Sequence, residues 1–148
     1  MPHYFAYGSN LDPVQMADRC PSSKAVEKAC LEGYRFCFPQ ESTRWSGGVA
    51  GIRASNGDVV WGVVYELSDD DLLTLDGFEG VSEGRYLRDR LAVSIDGESV
   101  DVEVYIASLE TNDTFSPSPT YLEALLRGAR HHGLPADYLA FLQSHSQL

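Results

Sequence analysis

Apolar and polar residues alternate along the middle of the chain in patterns that predict β-strands. Residues 33–38 and 48–54 each fit a short strand, and Asn56-Gly57 is a dipeptide typical of tight hairpins. We therefore expect the second strand to turn there into the run 59–65. Because that run is apolar on both faces, we expect it to lie in the centre of the sheet.

A second hairpin is predicted near residue 100. Residues 91–95 and 100–105 alternate with a period of two on either side of Asp96-Gly97, another dipeptide typical of tight turns. One face of this hairpin is polar, so we expect that face to contact solvent.

Helices are predicted where a capping side chain precedes proline or stands three residues before an acid. These sites are Asp12-Pro13, Ser118-Pro119, and Ser68 with Asp71. Gly77 is expected to end the helix that Ser68 begins, and Gly133 the helix that Ser118 begins. A last short helix is predicted from Ala136. Strands in the middle and helices toward the end predict an α+β domain with a curled or barrel-like sheet.

The length and composition fit one globular domain of residues 1–148. The net charge of −11 and the lack of a basic cluster argue against nucleic acid or an anionic membrane as a partner. The N-terminus has no signal-peptide pattern, and no apolar run is long enough to span a membrane. Cys20, Cys30 and Cys37 form no CxxC pair, which favours free thiols in a reducing compartment. We therefore expect a cytoplasmic protein.

Tyr7-Gly8-Ser9-Asn10 is the first candidate site segment. It lies between a short apolar run at 4–6 and the predicted helix start at Asp12, so it is predicted to form a strand-to-helix turn. Such a turn exposes backbone N–H groups beside the positive end of a helix, where they can bind a carboxylate or an oxyanion. Turns of this composition are also common without any function.

The second candidate segment, 76–86, interleaves acids with glycines. A carboxylate that moves protons at neutral pH needs partial burial to raise its pKa, and the apolar residues beside Glu79 could supply it. Asp76 and Glu83 are expected to be solvated loop charges. An alternative takes these three acids as a carboxylate cluster for a divalent cation or for glycoside hydrolysis.

The third candidate segment, 116–121, is a proline-rich turn that places the Tyr121 hydroxyl in the first turn of a helix. By itself, an aromatic side chain at such a position is more often a packing residue than a ligand contact. The adjacent pair His131-His132 would point about 100° apart on a helix, so no metal site is predicted there. We expect both histidines to be solvated.

In this order and spacing, the three segments resemble the gamma-glutamyl cyclotransferase (AIG2-like) family. The resemblance spans nearly the whole chain. The matching positions are 4–11, Met16, Arg19, Pro21, 45–50, 60–65, Leu75-Asp76, 79–81, Gly84, Tyr86, 117–121 and 133–138.

The resemblance implies a small mixed β-barrel flanked by short helices. It also implies a reaction in which a γ-glutamyl amino acid or amine releases its amine and closes into 5-oxoproline, without a metal or cofactor. Glu79 would be the catalytic acid/base. The substrate-binding residues that the resemblance implies are Tyr7, Gly8, Ser9, Asn10, Leu11, Tyr86 and Tyr121. A homodimer is compatible with the sequence.

Besides the carboxylate cluster described above, two alternatives remain open at this point. The related glutathione-specific enzymes carry Leu at the position of Asn10, so γ-glutamyl amino acids or amines are favoured over intact glutathione as substrates. A catalytically silent binding module of the same fold is the other alternative, because one fold hosts many unrelated functions.

Overall fold

Strand pairing closes the sheet into a barrel. The computed structural model describes residues 1–108 and 114–147. Within them the strands are β1 (His3–Ala6), β2 (Lys24–Ser42), β3 (Gly47–Glu66), β4 (Tyr86–Ile95) and β5 (Glu98–Ala107). They pair in the closed order β1-β3-β2-β4-β5. β1 runs parallel to β5 at Tyr4 and Glu103, and the other pairs are antiparallel. The predicted mixed barrel is confirmed.

The run 59–65 forms the second half of β3 and lies between β1 and β2, as predicted from its apolar character. The hairpin predicted at Asn56-Gly57 is wrong. The predicted strands 48–54 and 59–65 both belong to β3. The turn lies instead at residues 43–46, between β2 and β3, where Ser46 has a positive φ of 58°. Both halves of β3 pair with β2, and residues 55–58 form a bulge opposite the single residue Gly33. Gly57 has a φ of 90° in this bulge, a positive value that a tight turn at this dipeptide would also need.

The second predicted hairpin is confirmed. Ile95 pairs with Glu98, and the two residues between them, Asp96 and Gly97, have φ values of 49° and 83°. Two successive positive φ values match the twist of the flanking strands, which is why Asp-Gly is favoured in turns of this kind.

The first three helices begin at the positions predicted from their capping residues, and the last begins at Ala136, as predicted. They are α1 (Pro13–Arg19), α2 (Asp69–Phe78), α3 (Pro119–His131) and α4 (Ala136–Gln143), with short 3-10 helices at Ser9–Leu11 and Ser144–Gln147. The side chains of Asp12, Ser68 and Ser118 each accept a backbone N–H at the start of their helix. Helix α2 continues one residue past Gly77, because the Glu79 amide still donates to the Leu75 carbonyl at 2.9 Å.

Apolar side chains fill the barrel and hold the helices against it. Phe5, Val64 and Val104, from three different strands, are fully buried. Leu75 of α2 and Leu125 of α3 are fully buried as well, so both helices share one core with the sheet. Each such side chain contributes about 2 kcal/mol of hydrophobic stabilisation. No helix in the described ranges has the length and apolar character that crossing a membrane requires.

Candidate active site

A pocket that is partly open to solvent lies where four segments of the chain meet at one side of the barrel. These are the turn after β1, the β2–β3 connection, the end of α2 and the start of α3. Among the described residues, the pocket wall includes five tyrosines, three arginines and one acid, Glu79.

Glu79 lies directly after the last residue of α2, and that helix directs it into the pocket. The residue is half-buried, and burial raises the pKa of its carboxyl to about 7, against the opposing effect of the Arg19 and Arg85 guanidiniums. A carboxyl with this pKa is present in both protonation states near neutrality, so it can accept and return a proton.

Two arginines are held beside Glu79 by hydrogen bonds of their own. Arg19, the last residue of α1, donates from Nη1 to Asn10 Oδ1 at 3.0 Å. Arg85, just before β4, donates from Nε to Gln40 Oε1 at 3.0 Å and from Nη2 to the Glu41 carbonyl at 2.6 Å. Sequence reasoning gave neither arginine a role, although Arg19 was among the matching positions.

The turn after β1 has the predicted place and shape. Residues Ser9–Leu11 form a 3-10 helix that is closed by hydrogen bonds from Leu11 N to Gly8 O and from Asp12 N to Ser9 O, both at 3.0 Å. A Cβ atom on Gly8 would lie 3.1 Å from the Ala50 Cβ and 3.1 Å from the Tyr121 hydroxyl. Glycine is therefore needed for this close approach.

The polar side chains of the turn form hydrogen bonds with other groups of the protein. Asn10 is buried, donates from Nδ2 to the Tyr4 hydroxyl at 3.0 Å and accepts from Arg19 and from Gln15. Ser9 Oγ accepts from Gln15 Nε2 at 2.8 Å. What this turn offers a ligand is therefore mainly its backbone.

Leu11 was expected to bind substrate, and its position does not fit that role. Its side chain is fully buried in the core and is not part of the described pocket wall. Its backbone packs against Gly128 of α3, so the chain has already turned away from the pocket at this residue.

Tyr86 and Tyr121 both line the pocket and both bind the backbone of Ala50. The Tyr121 hydroxyl accepts from the Ala50 amide at 3.0 Å, and the Tyr86 hydroxyl donates to the Ala50 carbonyl at 2.6 Å. Burial raises the pKa of Tyr121 to about 12, so its hydroxyl stays protonated at neutral pH. Tyr7, which also lines the pocket, donates to the Tyr105 carbonyl at 2.5 Å.

The other acids of the segment 76–86 lie apart from Glu79. Asp76 was expected to be a solvated charge, and this expectation is wrong. Its carboxylate accepts from Arg88 Nε of β4 at 2.9 Å and from the Tyr105 hydroxyl of β5 at 2.7 Å, so it is paired with groups of two strands. Glu83 is exposed. Over the ranges that the structure covers, no group of three or more His, Cys, Asp or Glu side chains could hold a metal ion.

The prediction that both histidines of the pair at 131–132 are solvated is correct for His131 only. His132 caps the end of α3 and is half-buried. Its Nε2 lies 3.0 Å from the Leu11 carbonyl and 3.3 Å from the Tyr65 hydroxyl. No local pattern in the sequence indicated this contact, because Leu11 precedes His132 by 121 residues.

Comparison with known proteins agrees with the fold of this chain. A model of the AIG2-like family matches residues 59–142. The gamma-glutamylcyclotransferase of Bos taurus is 37% identical over 146 residues, which are 95% of this chain and 77% of that protein. The Homo sapiens gamma-glutamylcyclotransferase is 35% identical and matches 91% of this chain and 73% of its own length.

Solved structures give the same result. A gamma-glutamyl cyclotransferase aligns with a TM-score of 0.90 and 34% identity over 97% of this chain and 86% of that chain. A gamma-glutamyl cyclotransferase from yeast that is specific to glutathione aligns with a TM-score of 0.65 and 13% identity, a likeness of fold alone. The chain belongs to the AIG2-like family of gamma-glutamylcyclotransferases, which confirms the resemblance read from its motifs.

Proposed function

We propose that this chain is a gamma-glutamylcyclotransferase that converts a γ-glutamyl amino acid or amine into 5-oxoproline and the free amine. The relatives that carry this name are 35 to 37% identical to it over most of its length. The observation that carries the proposal is Glu79, a half-buried carboxyl with a pKa of about 7 beside the glycine turn. The free thiols of all three cysteines support a cytosolic location.

The reaction needs no enzyme nucleophile. The substrate's own α-amine attacks its γ-carbonyl, the new C–N bond closes the five-membered ring, and the old γ-amide C–N bond breaks. Because the amine is already tethered to the carbonyl, the enzyme gains a large effective molarity by holding a folded conformer. What remains for the protein is to move protons and to stabilise developing charge.

Glu79 is the group that can move the protons. The α-ammonium of the substrate must lose two protons in all, one before attack and one after it. The leaving nitrogen must gain two to depart as an ammonium ion. A carboxyl whose pKa is about 7 can carry each proton in turn from one nitrogen to the other.

Backbone N–H groups of the turn at 7–10 are the proposed donors to the substrate's oxyanion or to its α-carboxylate. Arg19 and Arg85 add positive charge on the same wall, and both are already held by hydrogen bonds to the protein. Donors fixed before substrate arrives need no reorganisation in the transition state, and one such donor is worth about 3 kcal/mol.

The leaving group would lie in an outer groove that continues from the pocket. Arg19, Arg44, Trp45 and Phe78 line both the pocket and this groove. The guanidinium carbons of Arg19 and Arg44 lie 4.3 Å and 5.1 Å from the ring centroid of Phe78, the residue before Glu79. The two cations outnumber Asp18, an acid that also lines this groove, and so favour a leaving amine that bears a carboxylate. We therefore expect γ-glutamyl amino acids to be better substrates than γ-glutamyl amines.

The test is product analysis by mass spectrometry after incubation with γ-glutamyl amino acids, γ-glutamyl amines and glutathione. We expect 5-oxoproline from the first class at the highest rate. Intact glutathione should react more slowly, because this chain has Asn10 where the glutathione-specific enzymes carry Leu. An absence of 5-oxoproline from every compound in the panel would reject the proposed function. Undiminished turnover after dialysis against a chelator is expected as well.

A further inference from the structure

We infer that Tyr65 and His132 are positioning residues that hold the pocket turn at Ser9–Leu11 from the side facing away from substrate. The inference rests on the proposed function for its activity readout. Neither residue belongs to the described wall of the pocket. Both would therefore act through the turn and not through contact with substrate.

The contacts involve two successive carbonyl groups of the turn. The Tyr65 hydroxyl donates to the Asn10 carbonyl at 3.1 Å, and this hydrogen bond is buried. His132 Nε2 lies 3.0 Å from the Leu11 carbonyl. Because a carbonyl oxygen can only accept, Nε2 must carry the proton. Nε2 also lies 3.3 Å from the Tyr65 hydroxyl, so the two side chains form one network.

Helix α3 brings His132 to this position by packing directly on the turn. Gly128, one helical turn before His132, faces the Leu11 backbone, and a Cβ atom there would lie 2.2 Å from the Leu11 carbonyl carbon. Only glycine permits this approach. Arg127 adds an ion pair, with Nη2 at 2.6 Å from Asp12 Oδ2.

The same helix also reaches the pocket at its other end, where Tyr121 lies in its first turn. Helix α3 therefore contacts the turn from behind through His132 and contributes a hydroxyl to the pocket through Tyr121. A peptide unit is planar, so fixing the carbonyls of residues 10 and 11 also fixes the amides of residues 11 and 12, whose hydrogen bonds to the Gly8 and Ser9 carbonyls close the turn. The Tyr65–His132 network is thus suited to hold the turn closed, and with it to keep the proposed donors at 7–10 in one orientation before substrate binds.

The variants Tyr65→Phe, His132→Leu and His132→Gln test this inference. Phe keeps the ring and removes only the hydroxyl, and Leu removes the donor to Leu11. Gln keeps an N–H donor at a similar distance and should restore most of the activity. Tyr34→Phe and His131→Gln are matched controls, because Tyr34 is half-buried on β2, His131 is exposed, and neither lines the pocket.

We expect kcat/KM for a γ-glutamyl amino acid to fall about tenfold or more in Tyr65→Phe and His132→Leu. His132→Gln and both controls should stay close to wild type. Hydrogen exchange should accelerate at the amides of residues 9–12 in Tyr65→Phe and stay unchanged in the hairpin of β4 and β5. This second readout reports on the turn itself and not on overall stability.

Wild-type kcat/KM in folded Tyr65→Phe and His132→Leu proteins would overturn the inference. A Tyr65→Phe protein that fails to fold, or equal loss of activity in His132→Gln and His132→Leu, would also overturn it, since the role would then be structural or specific to the imidazole. If the wild-type protein turns over no γ-glutamyl substrate, the proposed function fails. The exchange experiment then decides the positioning role alone, with unchanged turn amides counting against it.

Discussion

The guanidinium of Arg19 lies over the ring of Phe78, with its central carbon 4.3 Å from the ring centroid. Phe78 immediately precedes Glu79, so this contact places a positive charge beside the carboxyl. The charge offsets only part of the cost of burying the carboxylate, and the pKa of Glu79 stays raised at about 7. This balance between burial and a fixed cation leads to the first two predictions.

The activity should depend on pH through Glu79. Because the carboxylate form accepts the first proton, kcat/KM should rise as the pH increases through about 7. The measurement is kcat/KM for one γ-glutamyl amino acid from pH 5 to pH 9. An inflection near 4.5, the ordinary value for a glutamate, would show that burial does not control this group.

The stability should show the opposite trend. The pKa of Glu79 is higher in the folded chain than in the unfolded chain, so the folded state binds more protons between pH 4.5 and about 7. The contribution of this group is therefore lost as the pH rises across that window. Glu79→Gln removes the effect, and from pH 4 to pH 8 it should gain up to about 3 kcal/mol relative to wild type. Urea unfolding of both proteins at the two pH values measures the difference.

Glu79→Gln should also abolish most of the turnover. The amide keeps the size of the side chain but cannot carry protons, so the rate of 5-oxoproline formation should fall by about 10²- to 10⁴-fold. Glu83→Gln is the matched control, because this exposed acid lies in the same segment and outside the pocket. The control should keep its activity. Near wild-type turnover by Glu79→Gln would remove Glu79 from the mechanism.

Substitutions in the turn should distinguish the contribution of its backbone to catalysis from that of its side chains. A Cβ on Gly8 would already be tight against Ala50 and Tyr121, so the branched side chain of Gly8→Val should lower kcat/KM by about 10²-fold or more. Ser9→Ala removes only the hydrogen bond from Gln15, so kcat/KM should change by less than about threefold. Steady-state kinetics with a thermal midpoint for each variant distinguishes blocked binding from unfolding. The reverse order of severity would rule out a backbone cradle.

Arg44 should select for a carboxylate on the leaving group. The comparison is between γ-glutamyl-alanine and its α-amide, which differ only in that charge. Because Arg44 is exposed and screened by solvent, Arg44→Ala should lower the acid-to-amide ratio of kcat/KM by about fivefold. Arg35→Ala, which removes an exposed arginine from the barrel outside the pocket, should leave the ratio unchanged. An unaltered ratio in Arg44→Ala would mean that this side chain does not contact the leaving group.

Features that depend on near neighbours could be predicted from the sequence. The caps at Asp12, Ser68 and Ser118 and the turn at Asp96-Gly97 each arise from groups within a few residues, whose conformational preferences act wherever the chain lies. The order and spacing of the glycine turn, Glu79 and Tyr121 were enough to indicate the family. Local preference alone gave a wrong prediction at Asn56-Gly57. This dipeptide favours a hairpin, but both halves of β3 pair with β2, and the residues between them form a bulge.

Only the tertiary structure decided the electrostatics of the pocket and the support behind it. Tertiary packing brings Arg19 of α1 and Arg85, just before β4, to the same carboxyl and buries that carboxyl enough to raise its pKa. Tyr65 and Asn10 are 55 residues apart in the chain, and their contact exists only because β3 and the turn pack together. Such contacts depend on the packing of distant elements, and neither the periodicity nor the composition of any one segment contains them.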